Sequence, residues 1–334
     1  MPISQPLPGA VLDPSSPLYP DVLAVLGNDG TGEIATNYTT GSNHALLNGA
    51  PPPLWGAGPY GGSCLTFDGQ QNKLVVANYP ALQLGETFSM NCMIYVTDWQ
   101  NSAWPYITGV LGKTTNCYQF RFGDGTMGDM GMLSIVLTDG STWHWAACTS
   151  AMATNSWHHI GATSDGSTLR VYIDGQVAAS AAGVVRPQVN TNDLWIGREY
   201  DDTCDRVLNG SLENVQIANA CFSAAQEASW YANPYQMFYT VLPGKTIAWS
   251  AGNVQKIMTT SNCELTFTAP PGPAELWLII THDSTTQTYN YTWPSSVKWP
   301  SAVPLATSNT TGAVDVVRFL YDGTRYLAQG VAGY

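Results

Sequence analysis

The sequence predicts an all-β protein made of two domains. Charged residues make up only 11% of the chain, against roughly 25% in an average globular protein. The chain contains 32 glycines and 21 prolines, enough to end many short strands in turns. Residues 157–175 show the pattern clearly, because Leu169, Val171 and Ile173 alternate with more polar neighbours, as in a half-buried strand.

The same segment predicts a tight turn on each side of this strand. Ser164-Asp-Gly-Ser167 closes one hairpin and Asp174-Gly175 begins the next, because glycine tolerates the positive φ that such turns need. We therefore expect two adjacent hairpins of one antiparallel sheet.

The chain divides into three predicted parts. Residues 1–22 are rich in proline and show no hydrophobic period, which indicates an extended arm. Residues 23–238 form a long β-domain, and residues 239–334 form a second, smaller β-sandwich. Strands of the long domain are predicted at 22–27, 63–69, 73–76, 85–96, 131–137, 142–146, 157–163, 168–173, 193–198 and 208–217.

A single short helix is predicted near the end of the long domain. Ser223 and Gln226 have the spacing of a capping box, alanine and glutamate favour a helix, and Asn233-Pro234 stops it. In the strand at 85–96, Phe88, Met90 and Cys92 share one face, which we expect to point into the core.

The order of the strand motifs resembles laminin G-like, concanavalin A-like jelly-roll domains. The motifs are Leu65-Thr-Phe-Asp-Gly69, Thr87-Phe-Ser-Met-Asn-Cys-Met-Ile-Tyr95, Trp157-His-His-Ile160, Val171-Tyr-Ile-Asp-Gly175, Leu194-Trp-Ile-Gly197 and the closing segment 208–223. This resemblance covers about two thirds of the chain and implies a jelly-roll sandwich over 23–238. The family usually has aspartate where Glu213 stands.

A second resemblance concerns the last domain. Tyr291-Thr-Trp-Pro-Ser-Ser-Val-Lys-Trp-Pro300 holds two Trp-Pro pairs and predicts a rigid corner, since proline fixes φ and cannot join a ladder. Together with the hairpin at 315–326, it resembles a small β-module at the ends of bacteriophage tail-fibre and other virion proteins. The resemblance implies that the protein belongs to a viral particle.

Composition argues against several classes of function. The net charge is −12 with only 12 lysines and arginines and no basic cluster, which disfavours nucleic-acid binding. Apolar runs such as Leu276–Ile280 are too short to cross a bilayer, and the N-terminus lacks the pattern of a secretory signal. The seven cysteines have no paired spacing, so we expect reduced, partly buried thiols.

The jelly-roll resemblance includes glucanases, which need two carboxylates about 5–10 Å apart. The nearest match to their Glu-x-Asp-x-x-Glu pattern is Glu199-Tyr-Asp201-Asp-Thr-Cys204, where cysteine replaces the second glutamate. We interpret this run as a solvated acidic loop and predict that the protein is not an enzyme. His158 and His159 should lie on opposite sides of a strand, which favours structural roles over binding one metal together.

Calcium is the candidate metal, because laminin G-like domains often hold one ion through loop oxygens. Two acidic groups could supply them: Asp201, Asp202 and Asp205 in one loop, or Asp124 and Asp129 in another. Neither has the spacing of an EF-hand.

Aromatic side chains are the candidate sugar contacts. Trp99, Trp104 and Tyr106 lie in a predicted loop, and Trp143 and Trp145 share one strand face. An open face could bind glycan, whereas a covered face would make both tryptophans core or subunit-contact residues.

These expectations define a non-enzymatic protein on the outer surface of a bacteriophage virion, made in the host cytoplasm. One alternative is a capsid decoration or head-fibre protein, favoured by the absence of shaft repeats. Its arm would contact other virion proteins through Pro2, Ile3, Pro6, Leu7 and Pro8. The other alternative is a tail-fibre or receptor-binding adhesin for host surface carbohydrate. A homo-oligomer is expected in either case, with a trimer as one candidate.

Overall fold

The structure is a computed structural model of the chain. It describes residues 10–12, 16–25, 32–39, 42–60, 62–99, 108–113, 117–123, 129–199, 206–240, 246–259, 263–282, 291–306, 308 and 312–334. The chain divides into two compact units, which contain Leu12–Phe238 and Tyr239–Tyr334. Both are built almost wholly of strands, so the predicted all-β class is confirmed.

The first unit is a sandwich of two large sheets. In chain order, the elements of residues 10–240 are β1 (Ala10–Leu12), β2 (Leu23–Val25), β3 (Ile34–Ala35), β4 (Ala45–Asn48), β5 (Leu54–Ala57), β6 (Ser63–Asp68), β7 (Lys73–Val76), β8 (Thr87–Val96), β9 (Thr108–Gly112), β10 (Tyr118–Phe122), β11 (Leu133–Thr138), β12 (Trp143–Ala147), β13 (Trp157–Asp165), β14 (Thr168–Ile173), β15 (Gln176–Ala182), β16 (Leu194–Ile196), β17 (Asn209–Ala218), α1 (Ala224–Ala232) and β18 (Phe238–Thr240). Residues 10–11 and 239–240, which make up most of β1 and β18, belong to the second unit.

The strand order of the first sheet is β12-β11-β10-β9-β16-β7-β4-β3. That of the second sheet is β15-β14-β13-β8-β17-β6-β5, with β2 also paired to β17. The predicted hairpins are present, since β13 pairs with β14 and β14 with β15. Gly166 and Gly175 have φ of 85° and 73° in their turns, a conformation that glycine adopts without strain.

The inner faces of the two sheets enclose one apolar core. The second sheet contributes Phe88, Met90 and Cys92, as predicted, and the first sheet contributes residues such as Phe120 and Ile135. All five side chains are fully buried. Burial of this size supplies the main favourable term of folding.

The outward side of the second sheet is covered by α1 and by parts of the chain before β2. Ser223 is the N-cap of helix α1, where its side chain and that of Gln226 form the predicted capping box, and Asn233 is the C-cap. Trp230 of the helix packs with Met93 of β8 and Leu18 in a second apolar cluster.

The structure changes the predicted boundary of the N-terminal arm. Leu12, Leu18 and Val22 are buried, and the carbonyl of Pro17 accepts a hydrogen bond from Gln226 Nε2. Residues 16–22 therefore belong to the first unit and do not form an extended arm. The predicted contact residues Pro2, Ile3, Pro6, Leu7 and Pro8 lie outside the described residues.

The second unit is built around a five-stranded sheet. Its strands are β19 (Thr246–Ala248), β20 (Val254–Thr259), β21 (Cys263–Glu264), β22 (Thr266–Thr268), β23 (Ala274–His282), β24 (Tyr291–Thr292), β25 (Val297–Lys298), β26 (Val314–Tyr321) and β27 (Tyr326–Val331). The large sheet has the order β20-β23-β26-β27-β25, and two parallel pairs, β19-β22 and β21-β24, accompany it. Its core includes Trp249, Leu278 and Phe319, with Trp293 and Trp299 of the predicted corner packed against it.

Two further features of the described residues bear on the predicted classes. None of their helices has the length and apolar character needed to span a membrane. Five cysteines can be described, at positions 64, 92, 117, 148 and 221, and all five are free thiols.

Candidate functional site

The outward side of the first sheet carries a surface that we call the tryptophan face. It consists of Arg121 of β10, Ser134 and Val136 of β11, and Trp143, Trp145 and Ala147 of β12. The register brings them together: Trp145 lies opposite Val136, and Ala147 lies opposite Ser134, which in turn faces Arg121. Because Ala146 points into the core, its neighbours in the strand point outward.

Both tryptophans of this face are open to solvent. Trp143 is 46% exposed and Trp145 is 59% exposed. They border a hollow of about 280 Å³ whose walls are the six residues of the tryptophan face. A core position for the two tryptophans is therefore wrong, and an open surface remains for a ligand.

Arg121, which lines this hollow, is held in one position by hydrogen bonds. Its Nη1 donates to Gln119 Oε1 at 2.7 Å and to Glu199 Oε1 at 2.9 Å. The second oxygen of Glu199 accepts from Arg206 Nη1. The side chain of Glu199 is almost fully buried between the two arginines.

This ion cluster corrects the prediction of a solvated acidic loop at Glu199. Sequence reasoning missed it because Arg121 lies far from Glu199 in the chain, so no local pattern signals the pair. Asp201, which the glucanase pattern would pair with Glu199, lies outside the described residues.

The row of paired residues that contains Trp145 continues across the whole first sheet, but the next tryptophan in this row, Trp195, is buried. The row consists of Trp145, Val136, Gln119, Gly112, Trp195, Val75, Leu46 and Ile34. The ammonium of Lys73 lies 3.2 Å from the centroid of the Trp195 ring, and Trp195 is only 7% exposed. Its ring face is therefore occupied by a cation–π contact, which leaves Trp143 and Trp145 as the open indoles of β12.

The structure does not bring the other predicted sugar contacts to this face. Trp99 packs on Phe122, with ring centroids 4.7 Å apart, and lies against the apolar core. Phe122 points inward whereas Arg121 points outward, so Trp99 packs away from the tryptophan face and its role as a sugar contact stays a prediction. Trp104 and Tyr106 lie outside the described residues.

The predicted calcium ligands are not tested by the structure. Asp201, Asp202, Asp205 and Asp124 lie outside the described residues, and Asp129 borders a second hollow beside Ser134 and Ala147. Within the described ranges, no three histidine, cysteine or acidic side chains come close enough to hold a metal ion. The calcium site stays a prediction.

His158 and His159 lie on opposite sides of β13 and have structural roles, as predicted. His158 Nδ1 pairs with Asp174 Oδ2 at 2.8 Å. His159 is fully buried, accepts a hydrogen bond at Nδ1 from the Gly175 amide and contacts Asn91 Oδ1 at 2.8 Å through Nε2.

The buried His159 forms a network with Glu227 of α1. Asn91 Nδ2 donates to Glu227 Oε1 at 3.3 Å, and His159 Nε2 lies 3.6 Å from Glu227 Oε2. Burial lowers the pKa of His159 to about 3. Burial also raises the pKa of Glu227 to about 8, although the hydrogen bond from Asn91 opposes this rise. Both groups are therefore neutral near pH 7, and the network joins the helix to the second sheet.

Comparison with known proteins identifies the fold of the first unit. Residues 68–226 match the family model of the concanavalin A-like lectin/glucanases superfamily. The first unit contains a concanavalin A-like jelly roll. The predicted laminin G-like resemblance is thus confirmed for this domain, whereas the virion-type C-terminal module stays a prediction. No curated protein matches the chain at a significant level.

Solved structures are similar to this chain at low sequence identity. The binding domain of Paraclostridial Mosquitocidal Protein 1 has a TM-score of 0.53 and 11% identity, covering 64% of this chain and 52% of that one. Domain 4 of the arabinanase AbnA from Geobacillus stearothermophilus, in complex with arabinotriose, has a TM-score of 0.49 and 14% identity, with 66% and 98% covered.

A structure reporting ganglioside-dependent cell entry of botulinum neurotoxin type C has a TM-score of 0.48 and 13% identity, with 67% and 52% covered. This chain thus spans about half the length of the two toxin chains.

Proposed function

We propose that the jelly roll binds carbohydrate at the tryptophan face. The observation that carries the proposal is the pair of open indoles, Trp143 and Trp145, beside a fixed arginine. Sugar rings have apolar C–H faces that stack on aromatic rings, and hydroxyl groups that accept hydrogen bonds from guanidinium groups. The match of residues 68–226 to the concanavalin A-like lectin/glucanases superfamily supports sugar as the ligand class.

The spacing of the two tryptophans suits a ligand of more than one ring. Residues two apart on a strand are separated by about 6.6 Å, so each indole can contact a different part of an oligosaccharide. Arg121 and Ser134 supply polar groups beside them. Because Arg121 is already fixed by Gln119 and Glu199, binding costs little additional side-chain entropy there.

We propose binding without hydrolysis. Glycosidases need one carboxylic acid and a second carboxylate on the other side of the scissile bond. At the tryptophan face, both oxygens of Glu199 are engaged by arginines, an arrangement that fixes the arginines and does not present a free carboxyl group to a sugar.

The test is a glycan array followed by calorimetric titration of the best ligand. Trp145→Ala should weaken the affinity at least about tenfold, the loss expected when an anchoring aromatic is truncated. Trp143→Ala should act in the same direction, and Arg121→Lys should weaken binding because lysine lacks the planar fork of donors.

The matched control for this test is Leu54→Ala, which removes an exposed apolar side chain of β5 in the second sheet. It should leave the single-site affinity unchanged. Binding that survives both Trp143→Ala and Trp145→Ala would place the sugar elsewhere and refute the proposed site.

We further propose that the protein displays this domain on a virion. The support is the sequence resemblance of the Trp-Pro segment 291–300 and the hairpin at 315–326 to phage virion modules. Labelling of intact particles with an antibody to the protein should locate it at the capsid or the tail, and a particle without label would refute this role. Because Leu12 and Leu18 are buried, a truncation that tests the arm should remove only residues 1–8.

A further inference from the structure

The five-stranded sheet of the second unit has one face in the core and one face toward solvent. Leu278 and Val317 point inward and are fully buried. On the other side, Leu320 and Leu327 are 53% and 43% exposed, and Val331 is 53% exposed. We call this outward side the C-terminal sheet face.

One row of the C-terminal sheet face has an antisymmetric charge pattern. Glu275 of β23 lies opposite Leu320 of β26, Leu320 lies opposite Leu327 of β27, and Leu327 lies opposite Lys298 of β25. Across four neighbouring strands the row thus reads acid, leucine, leucine, base, and all four residues are exposed. Read from either end, the apolar pattern is the same and the charge is reversed.

Such a row complements a second copy of itself. A twofold axis that runs parallel to the strands, between β26 and β27, turns a second sheet to face the first. The axis places Glu275 of one copy on Lys298 of the other, and Leu320 on Leu327. The contact then holds two ion pairs around two leucine pairs, and it is isologous, as in most homodimers.

The neighbouring rows agree with the same axis. Val316 lies opposite Val331, and Arg318 lies opposite Gln329, so the axis pairs valine with valine and the guanidinium with an amide oxygen. No pair in these three rows brings two like charges together.

The charge of the chain is divided in a way that favours contact through the second unit. Residues 239–334 contain five acidic and five basic residues, whereas residues 1–238 contain 19 acidic and seven basic residues. The whole net charge of −12 therefore belongs to the first part. Two neutral units can approach without the repulsion that two highly charged first units experience.

We propose that the C-terminal sheet face is the interface of a homodimer. Each side of the contact is already positioned: Glu275 is oriented by Arg318, whose Nε lies 2.8 Å from Glu275 Oε1. Lys298 uses one of its three N–H donors on the Ser295 carbonyl and keeps the others for a partner carboxylate. Facing sheets pack about 10 Å apart, which suits interlocking leucine and valine side chains.

The size of the contact predicts a dimer of low affinity. The lengths of the four strands that face the partner (β23, β26, β27 and β25) and the spacing of about 4.8 Å between strands give roughly 400 Å² per copy. Two copies bury roughly 800 Å², a size typical of weak, transient contacts. The dimer should therefore dissociate on dilution.

Sedimentation velocity of the full chain over a range of concentrations tests the proposal. The wild type should shift from monomer to dimer as concentration rises. Leu320→Glu should keep the chain monomeric at every concentration, because it places two charges in the apolar centre of the contact. The control is Leu54→Glu, which changes a leucine of β5 that is 63% exposed and should leave dimerisation unchanged.

Charge reversal identifies the pairing itself. Glu275→Lys and Lys298→Glu should each weaken dimerisation, because each brings like charges together across the axis. The double variant restores opposite charges and should recover dimerisation. Circular dichroism confirms that each variant is folded.

Three results would overturn the proposal: a wild-type monomer at all concentrations, a trimer, or a dimer that Leu320→Glu does not dissociate. A double variant that stays monomeric would exclude the Glu275–Lys298 pairing. The Trp145→Ala variant should dimerise normally, so failure of this proposal and failure of carbohydrate binding are separate outcomes.

Discussion

The outward faces of the two sheets of the jelly roll differ in burial. The outward face of the second sheet lies under α1, where Trp230, His159 and Asn91 are fully or almost fully buried. The outward face of the first sheet ends in the open tryptophans Trp143 and Trp145. Polar residues thus lie buried on one sheet while large apolar residues lie exposed on the other.

This difference shows which outward face is stabilised by packing in the folded chain: the face of the second sheet, under α1. The polar groups of the covered face are tolerable because hydrogen bonds join Asn91, His159 and Glu227 and compensate for their desolvation. The exposed indoles gain nothing comparable from folding. An apolar surface that folding leaves uncovered is typical of a binding site.

The largest expected effect on the free energy of unfolding is at the outward face of the second sheet, which α1 covers. Trp230→Ala should lower the free energy of unfolding by about 3–5 kcal/mol, the usual cost of emptying a buried tryptophan site, because Trp230 is fully buried and its Nε1 donates to Gln216 Oε1. Urea unfolding followed by circular dichroism measures the loss. A cost below about 1 kcal/mol would show that α1 does not contribute to the core.

The next effect is a pH dependence of the free energy of unfolding, which we expect from Glu227 and His159 under α1 and not from the tryptophan face. In the unfolded chain Glu227 ionises near pH 4.5, whereas in the folded chain it keeps its proton to about pH 8. The folded state binds the extra proton, so stability from this group falls as pH rises from about 4.5 to about 8. His159 acts in the opposite direction, since its stabilisation is lost as pH falls from about 6.5 to about 3.

Glu227→Gln should remove the alkaline part of this dependence. At about pH 9 the variant should be more stable than the wild type by on the order of 3 kcal/mol. The loss of stability at low pH, which comes from His159, should persist in the variant. Urea unfolding across the pH range measures both limbs. An unchanged alkaline limb would assign the effect to another group.

A smaller effect is expected from the close approach beneath the helix. A Cβ at Gly161 would lie 2.6 Å from Asn91 Oδ1 and 2.7 Å from Glu227 Oε2. Gly161→Ala should therefore cost about 1–3 kcal/mol of unfolding free energy through overpacking. Gly85→Ala is the matched control, because its Cβ would meet no atom closer than 3.9 Å. Equal costs for the two variants would contradict this account.

The smallest effect on stability is expected at the open face. Trp143→Ala and Trp145→Ala should each change the free energy of unfolding by no more than about 0.5 kcal/mol, as for most surface substitutions. The same urea titrations measure it. A large loss for either variant would mean that the open face is part of the packed structure, and the comparison of the two sheets would fail.

Local sequence signals predicted much of this fold. The hairpins around Gly166 and Gly175 and the capping box at Ser223 depend on residues within a few positions of each other. The jelly-roll order followed from the succession of strand motifs. The inward side of β8 followed from the alternation of Phe88, Met90 and Cys92.

The two outward faces could not be assigned in the same way. Trp143 and Trp145 alternate with His144 and Ala146, a pattern that fits either side of a sheet. Asn91 and His159 look like solvent-exposed positions in the sequence, because the helix that covers them comes much later in the chain. The burial of Glu199 likewise depends on Arg121, contributed by a different strand.

The antisymmetric row of the C-terminal sheet face also limits how many sugar sites one assembly holds. A twofold contact uses the same surface on both copies, so no third copy can join and the assembly closes at two. If each copy binds carbohydrate at the tryptophan face as proposed, the proposed dimer is bivalent. On a surface where one glycan is repeated many times, two linked sites can exceed the affinity of one by about 10²–10⁴ when both engage, so weak single-site binding is sufficient for firm attachment.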